Sequence, residues 1–214
     1  MMHHLTDSNG FENSEINLLR PFTLLIGPNG SGKSNVIEAI ELLSFVARGQ
    51  PLHEIGDVGR APSGLQIRGG LQACGRGERS AFTLGFTADA NVQGGSKPVD
   101  YKLDLSTNPN PQILEERLSF DDREIYNALQ TNPGSASRDL TVRYDNFARG
   151  GRKPQTPASS ERSVLSQYRD IARKNRRFEF CTWLVDVLMG HLQASFVFDP
   201  DPKLMHAYER IGNA

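Results

Sequence analysis

Eight consecutive residues, Gly27-Pro28-Asn29-Gly30-Ser31-Gly32-Lys33-Ser34, limit what this chain can fold into more than any other stretch. They match the spacing G-x-x-x-x-G-K-S/T at every fixed position, and their flanks agree with it. The preceding run Phe22-Thr23-Leu24-Leu25-Ile26 is short, apolar and β-favouring, which predicts a strand buried on both faces. From Lys33 to Arg48 the apolar positions Val36, Ile37, Ile40, Leu43 and Phe45 fall near helical spacing, and Gly49 and Pro51 stop the helix. A glycine-rich turn between strand and helix lets backbone N–H groups point inward and cradle phosphate oxygens at the helix N-terminus. Lys33 adds a compact positive charge for β- and γ-phosphates, and the Ser34 hydroxyl is placed to ligate Mg²⁺. The expected cofactors are therefore ATP and Mg²⁺. Gly27, Pro28, Asn29, Gly30, Ser31, Gly32, Lys33, Ser34 and Asn35 form the nucleotide site, with Ser34 on the metal.

Downstream, residues 51–80 are rich in Gly, Arg and Pro, and then the texture turns to β. Ala81–Thr87 and Tyr101–Leu105 alternate, Pro111–Phe120 reads as a third strand and Leu140–Tyr144 as a fourth. Asn91–Pro98 and Thr107–Pro111 read as turns between them, and Asp121-Asp122 as a further turn. Ala148–Ser160 reads as an exposed loop, Glu161–Arg177 and Phe178–Gln193 as helices, Ala194–Phe198 as a strand, and Lys203–Arg210 as a last short helix. Near the start, Glu15–Leu18 reads as a strand. The organisation expected is one lobe over 1–214: a strand-loop-helix core (1–50), a β-rich insertion (51–147), a loop (148–160), and helices with a strand (161–214).

The string GPNGSGKSN followed by Val36-Ile37-Glu38-Ala39-Ile40 resembles the ATP-binding half of the SMC/RecF class of ABC-type ATPases. It is closer still to bacterial "AAA family" ATPases related to that class, some of which belong to anti-phage defence. Ile67-Arg68-Gly69-Gly70, Leu114-Glu115-Glu116-Arg117-Leu118 and Phe198-Asp199-Pro200 extend the likeness along the chain. The resemblance implies an α/β P-loop NTPase fold, with a central, partly parallel sheet, an inserted antiparallel meander and flanking helices. It also implies that two heads sandwich ATP, the signature motif of one completing the site of the other. By that resemblance Arg68 stands where an arginine of SMC heads touches phosphate or DNA; a surface arginine in a glycine-rich loop is the equally weighted alternative, and Arg60 is a weaker candidate.

The chain departs from that class in what it lacks. It has no LSGG-like signature, and no apolar strand ending in Asp-Glu. Phe196-Val197-Phe198-Asp199 comes nearest, but Pro200 follows; Asp199 is a weak candidate for a metal-ligating acid, and a strand running into a turn is the favoured reading. Nucleotide binding is thus expected of this chain, and hydrolysis is not. The reading is the N-terminal part of an ATPase whose remaining motifs come from elsewhere, by self-association or from a partner protein. The alternative is a nucleotide-gated interaction module without turnover. A GTPase would need an Asn-Lys-x-Asp base-reading motif, which is absent.

Composition narrows the setting. Hydrophobic residues make up 37% of the 214, and no apolar run approaches the ~18 residues of a membrane helix. With no secretory leader pattern, and with Cys74 and Cys181 far apart, a reducing cytoplasm is expected. The net charge of −1 conceals a basic segment. Between Arg149 and Arg177 lie nine basic residues against Glu161 and Asp170. Arg169, Arg173 and Arg176/Arg177 would share a helical face. A solvated face is the favoured reading of such a run, with DNA-backbone contact as its alternative. The five histidines show no metal-ligand spacing.

Overall fold

The computed structural model describes residues 2–8, 11–17, 23–59, 64–77, 79–108, 110–131 and 139–193. Its frame is an eight-stranded sheet in the order β10-β9-β8-β7-β6-β5-β1-β2. The N-terminal hairpin is β1 (Met2–Ser8) and β2 (Phe11–Asn17). The meander follows as β5 (Ala81–Val92), β6 (Gly95–Ser106), β7 (Gln112–Phe120), β8 (Arg123–Gln130), β9 (Asp139–Tyr144) and β10 (Gln155–Ser159). β1 pairs antiparallel with β5, so the meander and the first hairpin share one sheet.

Alternation makes one face of this sheet apolar. On β6, Val99, Tyr101, Leu103 and Leu105 are buried, while Asp100, Lys102 and Asp104 face outward. The outer face is laced by Thr83 and Thr87 hydroxyls donating to Asp104 and Asp100, both at 2.7 Å, and by Lys102 on Asp104. Three helices cover the inner face: α1 (Lys33–Ala47), α2 (Val164–Ile171) and α3 (Phe178–Gln193). α1 packs on β1 and β5, and α3 spans from α2 to α1 over β5. Leu42, Leu43, Val46, Leu84, Leu103, Leu184 and Leu188 meet in the shared core.

Several expectations change. The parallel order expected of the sheet is not found among the described residues. All eight strands pair antiparallel, and the parallel pair is the two-residue ladder of β3 (Gly56–Asp57) with β4 (Gln66–Ile67). Residues 23–26 form no strand, and they are not buried on both faces: Leu24 is 66% and Ile26 84% exposed, because no described strand lies beside them. The Asn91–Pro98 turn shrinks to Gln93-Gly94, since β5 and β6 continue to a tight hairpin. The Ala148–Ser160 loop contains β10, which tolerates Pro157 because it is an edge strand. β1 and β8 were not expected. The helix expected over 161–177 is shorter. α2 gives way to a single 3₁₀ turn at Ala172–Lys174, and Asn175 turns the chain by donating through Nδ2 to the Asp145 carbonyl at 2.7 Å. Asp121-Asp122 is the turn expected, with φ of 48° and 64°, as a two-residue hairpin of the primed type requires. The Ala194–Phe198 strand, Asp199, the Lys203–Arg210 helix and Arg60 lie outside the described residues.

Burial of His3 has a consequence for pH. Its ring is 2% exposed and meets Phe86 edge-on at 4.8 Å. Desolvation, with the adjacent His4 adding to it, lowers its pKa from 6.5 to about 4. The unfolded chain therefore binds a proton that the folded chain refuses. The stability this neutral ring contributes is complete above pH 6.5 and is lost as pH falls toward about 4. The loss expected is about 3 kcal/mol, from roughly 1.4 kcal/mol per pKa unit. Denaturant melts at pH 7 and pH 4 should show His3→Phe losing less stability on acidification than the unmodified chain, by that amount.

Candidate nucleotide-binding site

The glycine loop joins residues 23–26 to α1 at the end of the sheet where β1 turns into β2. Gly30 and Gly32 hold φ of 81° and 87°, which other residues adopt only with strain. Gly32 is the residue before α1, and a Cβ placed on it would also meet the Phe11 ring at 2.9 Å. Two separate constraints, backbone sign and close approach, thus demand glycine there. A Cβ on Gly27 would meet the Ser31 hydroxyl at 2.8 Å, while one on Gly30 would meet nothing within 4 Å. Gly30 therefore borders open space, and Gly27 closely faces Ser31 across the loop.

Lys33 opens α1 and folds back across the loop. Its Nζ donates to the carbonyls of Gly27 and Pro28, both at 2.8 Å, and lies 3.4 Å from Ser31 Oγ. No acidic residue occupies the first turn of α1, and no side chain caps its N-terminus. The N–H groups that a helix N-terminus presents, the positive end of the helix dipole and the ammonium all favour an anion at this point. A cavity of about 420 Å³ opens beside them, lined by the loop and Lys33 on one side and by Phe11, Leu24 and Ile26 on the other. Ser34 is exposed at the start of the helix and Asn35 partly so. A triphosphate with a divalent cation fits this donor set, since the loop offers main-chain N–H groups, one cation and the hydroxyls of exposed Ser31 and Ser34, with no competing carboxylate in the first helical turn.

Arg68 comes to the same helix from another part of the chain. It follows β4 and enters a turn in which Gly69 and Gly70 have φ of 75° and 68°. The Gly69 N–H donates to Asp57 Oδ1 at 2.8 Å, and the Gly70 N–H to the Ile67 carbonyl at 2.8 Å. This turn presents the guanidinium to α1, where Nε donates to Glu38 Oε1 at 2.6 Å and Nη2 to Asn35 Oδ1 at 3.0 Å. Arg68 thus lies one residue from Ser34, with its side chain still 57% exposed. Sequence reasoning singled out Arg68 but not its partner Glu38. It also missed Phe11, which carries no motif and reaches the loop only through the β1–β2 turn. Among the described residues, no three His, Cys, Asp or Glu side chains gather as a metal site. No helix among them is long and apolar enough to cross a membrane.

Residues 22–194 match the family described as AAA domain, putative AbiEii toxin, Type IV TA system. Over 106 residues the chain is 44% identical to the DNA replication and repair protein RecF of Acaryochloris marina. That match takes in 48% of this chain and 27% of the relative, so the chain spans about a quarter of the relative's length. No solved structure matches. With the family model covering most of its length, this chain belongs to that AAA-domain family, within the SMC/RecF-like class of P-loop ATPases.

Proposed function

We propose that the chain binds ATP with Mg²⁺ at the Gly27–Asn35 loop, and that turnover needs further polypeptide to complete the site. One observation carries the reading: a cation lies at the uncapped, acid-free N-terminus of α1, where two glycines hold positive φ. In this reading Gly27, Pro28, Asn29, Gly30, Ser31, Gly32 and Lys33 hold the phosphates, Ser34 the metal, and Asn35 orients Arg68 toward them. ATP and Mg²⁺ supply the phosphoryl group and the charge that neutralises it.

The exposed flank of the loop supports completion from outside. Leu24 and Ile26 present apolar side chains beside the cavity, a surface that further strands running parallel to residues 23–26 would cover. Such strands would supply the partly parallel sheet, either from a second copy or from a partner bearing signature and Asp-Glu motifs. The setting proposed is DNA maintenance or phage defence in the cytoplasm; the name of the RecF relative supports the DNA role, and the toxin–antitoxin wording of the family description supports a defensive one.

The site as described holds phosphate but brings no acid to an attacking water, and a cradle that binds ground and transition states alike does not accelerate chemistry. The chain alone is expected to release phosphate from ATP no faster than background, and adding a protein with the missing motifs should restore turnover. Turnover by the chain alone that disappears in both Lys33→Ala and Asp199→Ala would make Asp199 the metal-ligating acid and overturn this reading.

A further inference from the structure

The two edges of the sheet are built differently. At one edge β10 carries Pro157. The Tyr144 N–H bonds the Pro154 carbonyl at 3.2 Å, so by antiparallel alternation Thr156 and Ala158 turn their N–H groups to β9, and Pro157 turns its nitrogen to the open side. A residue with no N–H on the open side stops a further strand from pairing there. At the other edge stands β2, and among the described residues no strand lies beyond it. Its seven residues, Phe11-Glu12-Asn13-Ser14-Glu15-Ile16-Asn17, include no proline, lysine or arginine. Alternate N–H and C=O groups of β2 serve β1, and the others point to the open side.

Side chains do not close this edge either. Glu12, Asn13, Glu15 and Asn17 are exposed. Glu12 Oε2 lies 3.5 Å from Arg76 Nη1, and Glu15 Oε1 3.4 Å from His4 Nδ1, so both carboxylates are engaged by their own chain. Exposed Leu24 and Ile26 line one cavity with Phe11, the first residue of β2, so apolar surface adjoins the open edge. Among the described residues the other exposed large apolar side chains, Val58, Leu129 and Phe178, belong to three separate parts of the chain and form no comparable patch. The helical face expected of Arg169, Arg173 and Arg176/Arg177 does not form: Arg169 pairs with Asp186 and Arg173 with Asp170, while Arg177 lies over the Phe147 ring.

We propose that β2 is an interface for a second copy of this chain: β2 pairs with β2 antiparallel, about a two-fold axis at Ser14, and joins the two sheets into one. Symmetry and charge together select the register. Directly opposed residues of an antiparallel pair share a face, so a two-fold axis through the sheet must pass through a residue and set it against its own copy. An axis at Ser14 sets Phe11 against Asn17, Glu12 against Ile16 and Asn13 against Glu15; all seven residues pair, and no like charges stand opposed. An axis at Glu15 would oppose the two Glu15 side chains, and one at Asn13 would leave Ile16 and Asn17 without partners in β2. About Ser14 the two Glu15 carboxylates lie diagonally across the axis, each beside its own His4. The edge is independent of the phosphate loop, and the proposal stands whether or not ATP binds.

The test is sedimentation of the full chain across a concentration series reaching the micromolar range, in nucleotide-free buffer so that no ATP-dependent association enters the measurement. A reversible dimer is expected. Thiol cross-linking reads the register, and the native Cys74 and Cys181 are buried, so the unmodified chain should give no product. Opposed residues have Cα atoms about 4.5–5.5 Å apart, so a short bifunctional thiol reagent should join Ser14→Cys to its counterpart. Asn17→Cys would stand about 20 Å from its own copy and should not be joined. Successive strand residues turn their N–H groups to opposite sides, so of Asn13→Pro and Ser14→Pro one breaks a bond to β1 and the other removes only an outward donor. The variant that keeps its melting temperature should associate about 10-fold more weakly or less still. If neither keeps its fold, the cross-linking decides alone. A monomer throughout the series, equal cross-linking of Ser14→Cys and Asn17→Cys, or a folded proline variant that dimerises as the unmodified chain does would each overturn the proposal.

Discussion

Replacing Glu116 with alanine is expected to cost the chain about 3–5 kcal/mol of stability and to lower its melting midpoint by on the order of 10 °C. Glu116 lies on β7 with no solvent exposure, under the N-terminus of α2. Its Oε1 accepts from the Tyr126 hydroxyl, the Ser163 hydroxyl and the Leu165 N–H, all at 2.8 Å, and from the Tyr101 hydroxyl at 3.1 Å. Its Oε2 accepts from the Val164 N–H at 2.7 Å. One carboxylate thus satisfies two orphan N–H groups of a helix, reinforces the Ser163 cap and anchors the sheet to α2. Burial pushes its pKa up, against the pull of the Val164 and Leu165 N–H groups and the Ser163 and Tyr126 hydroxyls. Alanine leaves all five donors in a dry cavity. Glutamine keeps the shape but sets its own N–H₂ against the Val164 N–H, so Glu116→Gln should still cost about 2 kcal/mol, while Tyr126→Phe should cost about 1. Thermal and urea unfolding of the three variants check the order. Equal stabilities for Glu116→Ala and the unmodified chain would contradict this role.

That carboxylate also marks where sequence reasoning stops. A glutamate between Glu115 and Arg117 reads as a surface residue, and its partners lie 10 to 49 positions away. The loop and α1 were legible because their requirements are local: glycines where φ must be positive, then apolar residues at helical spacing. α3 was legible for the same reason, with Leu184 and Leu188 on its buried face. β1, with Leu5 as the apolar member of its central run, and β8, whose buried positions Ile125, Tyr126 and Ala128 do not alternate strictly, carried too weak a pattern. Both are strands because their neighbours pair with them. The run at 23–26 misled in the opposite direction. Its apolar residues call for a covered strand, and Leu24 and Ile26 stand exposed where the described residues bring no neighbour. In the site, spacing identified Lys33 and Ser34. The contact of Arg68 with Asn35 and Glu38, across some 30 positions, needed the fold.

The larger expected effect on function belongs to Lys33→Ala. The ammonium rests on two loop carbonyls at the mouth of the cradle, and it is the one cation that the loop itself contributes. A charged donor to phosphate is worth about 1.5–3 kcal/mol per hydrogen bond, so losing two predicts a fall in ATP affinity of about 100-fold or more. The fold should survive, because the carbonyls released, Gly27 and Pro28, are exposed to water. Isothermal calorimetry with ATP and Mg²⁺, on the unmodified chain and on Lys33→Ala checked for an unchanged melting temperature, tests the central claim most directly. The account predicts saturable binding by the unmodified chain and none measurable by the variant. Equal affinity in a folded Lys33→Ala chain, or no binding by the unmodified one, would contradict it.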